Sequence, residues 1–194
     1  MKNWSKIRTK LRKQRVCAPE FWVMAEVVQC FDAFYSLRDG KFSPVDLFNQ
    51  AVLRDFGLRV FGVTEIMPVS PAIIHDYYSW LYKTTGGEAG IWVATPVFPG
   101  ERDFPLLSRK TEPTADKFRF ASILAHEFGH LKLGHEAVAV SRATPGEPFP
   151  HMSVENEWDA WIFSNFVLSF LLAEHAATSR LATGVDHGPE LFGR

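Results

Sequence analysis

Residues 118–135 read FRFASILAHEFGHLKLGH. Phe120, Leu124, Phe128 and Leu131 recur at helical spacing, which predicts a helix over Ala115–Leu133, buried along one side and ended by Gly134. Within it, HEFGH sets His126 and His130 four residues apart, one turn along the same face, so both imidazoles can aim at one point. Zn²⁺ takes such nitrogens at about 2.0–2.1 Å. Glu127 projects beside them, close enough to a water on the metal to remove its proton without being a ligand. Gly129 lies inside the motif and costs about 1 kcal/mol of helix stability relative to alanine, which predicts that another element approaches closely there.

A catalytic zinc site needs a third protein ligand and an open position. The HExxHxxGxxH arrangement fails, because its glycine would fall on Leu133 and its last histidine on Glu136. Gly134 and His135 stand one residue early. His135 is the fifth-residue neighbour of His130 across the helix end, which favours a place beside the ligands or facing a substrate over ligation; the plainer alternative is capping of the helix. Carboxylates remain as third ligand: Glu136, Glu147, Glu155, Glu157, Asp159 and Glu174. Glu136 is too near to fold back on the same metal, and Glu147 lies in a proline-rich loop. Acidic residues in a first turn are also the ordinary complement of the helix dipole. Direction separates them: Glu157, Ala160, Ser164 and Leu168 share a stripe whose small residues would let this helix lie against the Gly129 face, whereas Glu155 and Asp159 point elsewhere.

The rest of the chain frames this pair of helices. Its 194 residues fit one ordinary domain, and 46% hydrophobic content with 14% aromatics indicates a packed core rather than disorder. The expected organisation is a basic helical segment over 1–42 packed on the body, a catalytic-type domain over 43–180 and a tail over 181–194. The net charge of -1 hides a basic arm, with Lys2, Lys6, Arg8, Lys10, Arg12, Lys13 and Arg15 preceding the first acidic residue, Glu20. Such an arm suits a solvated amphipathic helix or contact with nucleic acid. No long charge-free apolar run stands out, so no membrane span is expected. Cys17 and Cys30 have no metal-type spacing and suit a reducing, cytoplasmic setting.

FWVMAEVVQCFDAF (21–34) predicts a buried helix, followed by a turn at Asp39 and Gly40. Ser43, Pro44 and Asp46 open a helix expected to run to Asp55 and stop at Gly57, with a strand over Leu58–Val63. Tyr77–Lys83 and Ile91–Thr95 read as a hairpin. Pro96–Pro113 and Ala143–Met152 read as proline-rich loops, and Val154 to about Ala177 as a very apolar helix. The pattern indicates an α+β fold with helices at both ends of a small, mostly antiparallel sheet.

The segments RFASILAHEFGHLKLGH (119–135) and EWDAWIFS (157–164) resemble the core of the ImmA/IrrE metallopeptidases, RF-x-x-AHE-x-GH-x-x-LGH followed by E-x-x-A-x-x-F-A. The likeness covers roughly residues 43–172. It implies a zincin-like domain with His126, His130 and Glu157 as metal ligands and Glu127 as the catalytic base. The chain departs from the pattern by one extra residue between Arg119 and Ala125, by Trp161 where the family usually has Asn or Asp, by lacking a Met-Pro pair after the second helix, and by the 96–113 loop.

The resemblance further implies cleavage of a helix-turn-helix repressor held on a separate polypeptide. The resulting expectation is a zinc-dependent endopeptidase, with Mn²⁺ or Fe²⁺ also compatible with two histidines and a carboxylate. Glu127 would move the proton, His135, His75, Tyr78 or Tyr82 would stabilise the oxyanion, and substrate would pair with a sheet edge at Ile91–Thr95. The rival expectations are a non-catalytic zinc-stabilised regulator that binds DNA or a partner, and a toxin or stress factor with another target.

Overall fold

Helix α1 (Pro19–Leu37) leads through a turn at Asp39 and Gly40, both with positive φ, into a 3₁₀ turn (Pro44–Phe48) and helix α2 (Gln50–Phe61). Then follow strand β1 (Val63–Val69), a second 3₁₀ turn (Pro71–Ile74), strands β2 (Ser79–Lys83) and β3 (Ala89–Ala94), helix α3 (Ala115–Leu133), the two-residue strand β4 (Val138–Ala139) and helix α4 (Val154–Thr183). This computed structural model describes residues 19–74, 77–84, 86–95, 115–135, 138–139 and 153–183. The basic arm, Cys17, His75, Glu136, Glu147, the two proline-rich loops and the tail from Gly184 lie outside the described residues.

The architecture is α+β, with one sheet of order β1-β3-β2-β4. The expected hairpin forms, β2 pairing antiparallel with β3. The sheet is nevertheless mixed rather than mostly antiparallel, because β1 lies parallel to β3 and β4 parallel to β2. Strand β3 is therefore interior, which removes Ile91–Thr95 as a free edge.

Two sequence expectations fail between residues 43 and 63, for one reason. Helix α2 does not stop at Gly57 but continues to Phe61, so Leu58–Phe61 is helical and the strand starts at Val63. Leu53, Phe56, Gly57 and Val60 follow helical spacing along the inward side. Gly57 serves a close approach: a Cβ there would sit 2.9 Å from the Phe128 ring. Gly62, with φ 69°, is the actual stop, its N–H donating to Leu58 O at 3.0 Å. The helix expected from Ser43 is itself split at Asn49, whose extended backbone ends the 3₁₀ turn and whose Oδ1 caps α2 by accepting from Ala51 N at 2.9 Å. Strand β1 contains Pro68, tolerated because β1 is an edge and a proline there need not donate to a ladder.

The core is a phenylalanine cluster joining the four α-helices of the described residues. Phe31 and Phe34 of α1, Phe56 and Phe61 of α2, Phe128 of α3 and Phe163 and Phe170 of α4 meet ring to ring; Phe61 stacks on Phe128 with centroids 4.7 Å apart. Ile91, Val93 and Leu81 close it from the sheet. Cys30 is buried here, and desolvation pushes its thiol up to about 12. Glu174 of α4 caps the 3₁₀ turn, accepting from Ser43 Oγ and, at 3.0 Å, from Val45 N. The stretch Val154–Ala177 is, by length and composition, long and apolar enough to cross a membrane, a property it shares with core helices. Ala160, Phe163, Val167 and Leu171 of this helix are buried in the core.

The closest helix contact is between α3 and α4. A Cβ on Gly129 would lie 3.0 Å from Phe163 Cβ and 3.1 Å from both Cα and O of Ala160. One turn on, Ser164 Oγ donates to Ser122 O at 2.8 Å. Replacing Gly129 with alanine gains about 1 kcal/mol of helix propensity but forces the backbones apart. Urea unfolding should show Gly129→Ala to be less stable than the parent by about 1–3 kcal/mol.

Candidate metal centre

The last turn of α3 ends in a Schellman motif. His135 N donates to His130 O at 2.9 Å and Gly134 N to Leu131 O at 3.3 Å, with Gly134 at φ 75°. This closure carries His135 back onto His130, and their Nδ1 atoms approach to 2.9 Å. His130 is almost fully buried, so the contact fixes how its ring is turned. Its Nε2 is thereby left to face Nε2 of His126, 3.1 Å away. For both Nε2 lone pairs to point outward together, His130 must carry its proton on Nδ1 and donate it to His135, which then holds its own proton on Nε2.

Glu157 arrives from the first turn of α4. Ser153 caps that helix, its Oγ accepting from Asn156 N at 3.2 Å and its carbonyl from Glu157 N at 3.0 Å. Glu157 Oε2 lies 3.2 Å from His126 Nε2 and Oε1 lies 3.6 Å from His130 Nε2. Hydrogen bonding to His126 first and His130 second holds the Glu157 carboxyl far below its usual range, against the opposing effect of its partial burial.

His126, His130 and Glu157 form a group that could hold a metal ion. A tetrahedral cation with bonds of about 2.0–2.2 Å requires donor separations of about 3.3–3.6 Å. The observed 3.1, 3.2 and 3.6 Å match to within a few tenths. Of the other carboxylates weighed from the sequence, Glu155 is exposed, Asp159 is buried away from the group, and Glu174 is committed to the 3₁₀ turn.

The group opens onto a cavity of about 280 Å³ lined by Tyr77, Tyr78, Ser79, Trp80, Ile123, Glu127 and Trp161, among others. Glu127 is buried at its wall and accepts a hydrogen bond on Oε1 from Ser79 Oγ at 2.5 Å. The guanidinium of Arg119 sits 5.0 Å over the Tyr78 ring. The indole of Trp161 lies on His126, ring centroids 4.2 Å apart. Tyr82 is elsewhere, on the opposite sheet face, donating to Glu65; burial and that carboxylate push its phenol up. His135 is not among the residues lining the cavity. Sequence reasoning did not find Ser79, because a serine at a strand start carries no signal until the strand's neighbour is known.

Glu157→Ala removes the only carboxylate in the group, so equilibrium dialysis against Zn²⁺ should fall from one tightly bound equivalent to a loss of at least about tenfold in affinity, with His126→Ala giving a comparable loss. Compared with known protein families, curated proteins and solved structures, the chain matches none.

Proposed function

We propose that the chain is a metal-dependent endopeptidase, similar to the ImmA/IrrE type its sequence resembles. The observation that carries this is the division of labour around one cavity: two histidines and a carboxylate converge as donors, while a second carboxylate, Glu127, is buried beside them without joining the set. A purely structural metal site would need four protein ligands and no neighbouring base. Among the described residues no fourth candidate joins the three.

His126, His130 and Glu157 would hold the ion, Zn²⁺ or, with the same donors, Mn²⁺ or Fe²⁺. Such an ion supplies Lewis acidity, polarising a peptide carbonyl and making a water acidic near neutral pH. Glu127 is the general base. With Ser79 donating to Oε1, Oε2 would carry the proton, first from the attacking water and then to the departing amine. His135 acts through His130, whose ring it holds, rather than on the substrate. Among the described residues, Tyr78 lines the cavity and is the candidate donor to the developing oxyanion.

An extended peptide has one free backbone edge beside this cavity. Strand β4 pairs with β2 only at Tyr82 and Lys83, so among the described residues the outer edge of Ser79–Leu81 is open next to Glu127. This replaces the Ile91–Thr95 edge expected from the sequence. The substrate class that the resemblance suggests is a helix-turn-helix repressor in the cytoplasm, with the basic arm as a further point of contact to nucleic acid.

Incubating the chain with a helix-turn-helix protein encoded beside its gene, with and without chelator, tests the proposal by a discrete cut seen on a gel. Glu127→Gln should bind one Zn²⁺ like the parent and lose about 10²–10⁴-fold in cleavage rate. Parent-level cleavage by that variant would remove Glu127 from its role, and a metal-loaded chain that cuts nothing would favour the non-catalytic regulator.

A further inference from the structure

A histidine that ligates a metal through Nε2 usually donates its Nδ1–H to a carboxylate, carbonyl or water, which locks the ring's orientation. His130 has such a partner in His135. His126 does not: it is buried, and its Nδ1 has no hydrogen-bond partner among the described residues. What touches this ring instead is Trp161, one turn after Glu157 on α4, whose indole is inclined 37° to the imidazole at a centroid distance of 4.2 Å. The indole is 41% exposed, and it lines the cavity as well as packing on His126.

We propose that Trp161 is a positioning residue for the metal centre, holding by ring contact a His126 imidazole whose Nδ1 has no hydrogen-bond acceptor among the described residues. The inference rests on the metal-centre reading given above. Two physical effects support it. A flat indole against one face of a buried imidazole restricts rotation about the Cβ–Cγ bond, so Nε2 stays aimed at the point shared with His130 and Glu157. An imidazole bound to a cation is also electron-poor, and the negative face of an indole attracts it more strongly than it attracts the neutral ring. The stack therefore favours the metal-loaded state over the empty one. Since Trp161 and Glu157 lie one turn apart on the same face of α4, the approach that delivers the third donor also delivers the clamp for the first.

The test is Zn²⁺ affinity by competition with a chromophoric chelator, together with the visible spectrum of the Co²⁺-loaded protein. Trp161→Ala should weaken Zn²⁺ binding by about 10–100-fold and alter the Co²⁺ bands. Trp161→Phe, which keeps a flat ring, should stay within about threefold of the parent with the parent's spectrum. Parent-like affinity and spectrum for Trp161→Ala, or equal losses for the alanine and phenylalanine variants, would overturn the proposal. Should the alanine variant fail to fold, Trp161→Leu carries the comparison, since leucine fills space without an aromatic face. Leucine is expected to bind at least about fivefold more weakly than phenylalanine, and parity between them overturns the idea. A parent chain that takes up no Zn²⁺ would refute the metal centre itself, whereas uptake unaffected by Trp161→Ala refutes only the clamp.

Discussion

The separation of α3 and α4 at Gly129 and Ala160 governs the rest of the site. The two backbones approach so closely that a single Cβ has no room, and Ala160 O and Cα are the atoms that would meet it. Glu157 lies one turn before Ala160 on α4, and His126 and His130 flank Gly129 on α3. Any residue larger than glycine at 129 would set the carboxylate back from the two Nε2 atoms by the same few tenths of an ångström that decide whether a cation can be shared. The helix-propensity cost of that glycine, about 1 kcal/mol, is offset by the geometry it permits.

The end of α3 is fixed by equally local means. Gly134 adopts a left-handed conformation that other residues reach only with strain, and the Schellman closure then places the next residue over His130. In most such motifs that position carries an apolar side chain packing on the last turn; here it is His135, and the contact becomes polar. The register of Gly134 and His135, which is wrong for a third ligand on the same helix, is the register that brings His135 against the His130 ring.

The His126, His130 and Glu157 group, which could hold a metal ion, was legible in the sequence because it depends on helical periodicity alone. Four-residue spacing places His126 with His130, and the stripe of Glu157, Ala160 and Ser164 identifies both the carboxylate and the face that carries it. The α+β class followed from the order of elements, and the hairpin from its glycine-containing loop. What failed was wherever a glycine or proline served tertiary structure instead of punctuating the chain. Gly57 reads in the sequence as a helix end, but it accommodates the Phe128 ring. Pro68 obscured a strand that tolerates it as an edge. Strand order was beyond reach as well, since nothing local says that β1 lies beside β3 rather than β2, and the misplaced substrate edge followed from that.

Both sides of the site then follow from the strand order. With β3 interior, the strand that borders the histidines is β2, and among the described residues only its first three lack an outer partner strand. Ser79 is the first of them, and its hydroxyl binds Glu127 while its backbone belongs to that edge. On the function proposed above, a peptide pairing there would be set in register against the residue that holds Glu127. On the opposite wall, Trp161 narrows the cavity with an exposed aromatic surface. Among the described residues, His126, His130 and Glu157 are thus held between two tightly packed helices, beside a cavity bordered by strand β2 on one side and the indole of Trp161 on the other.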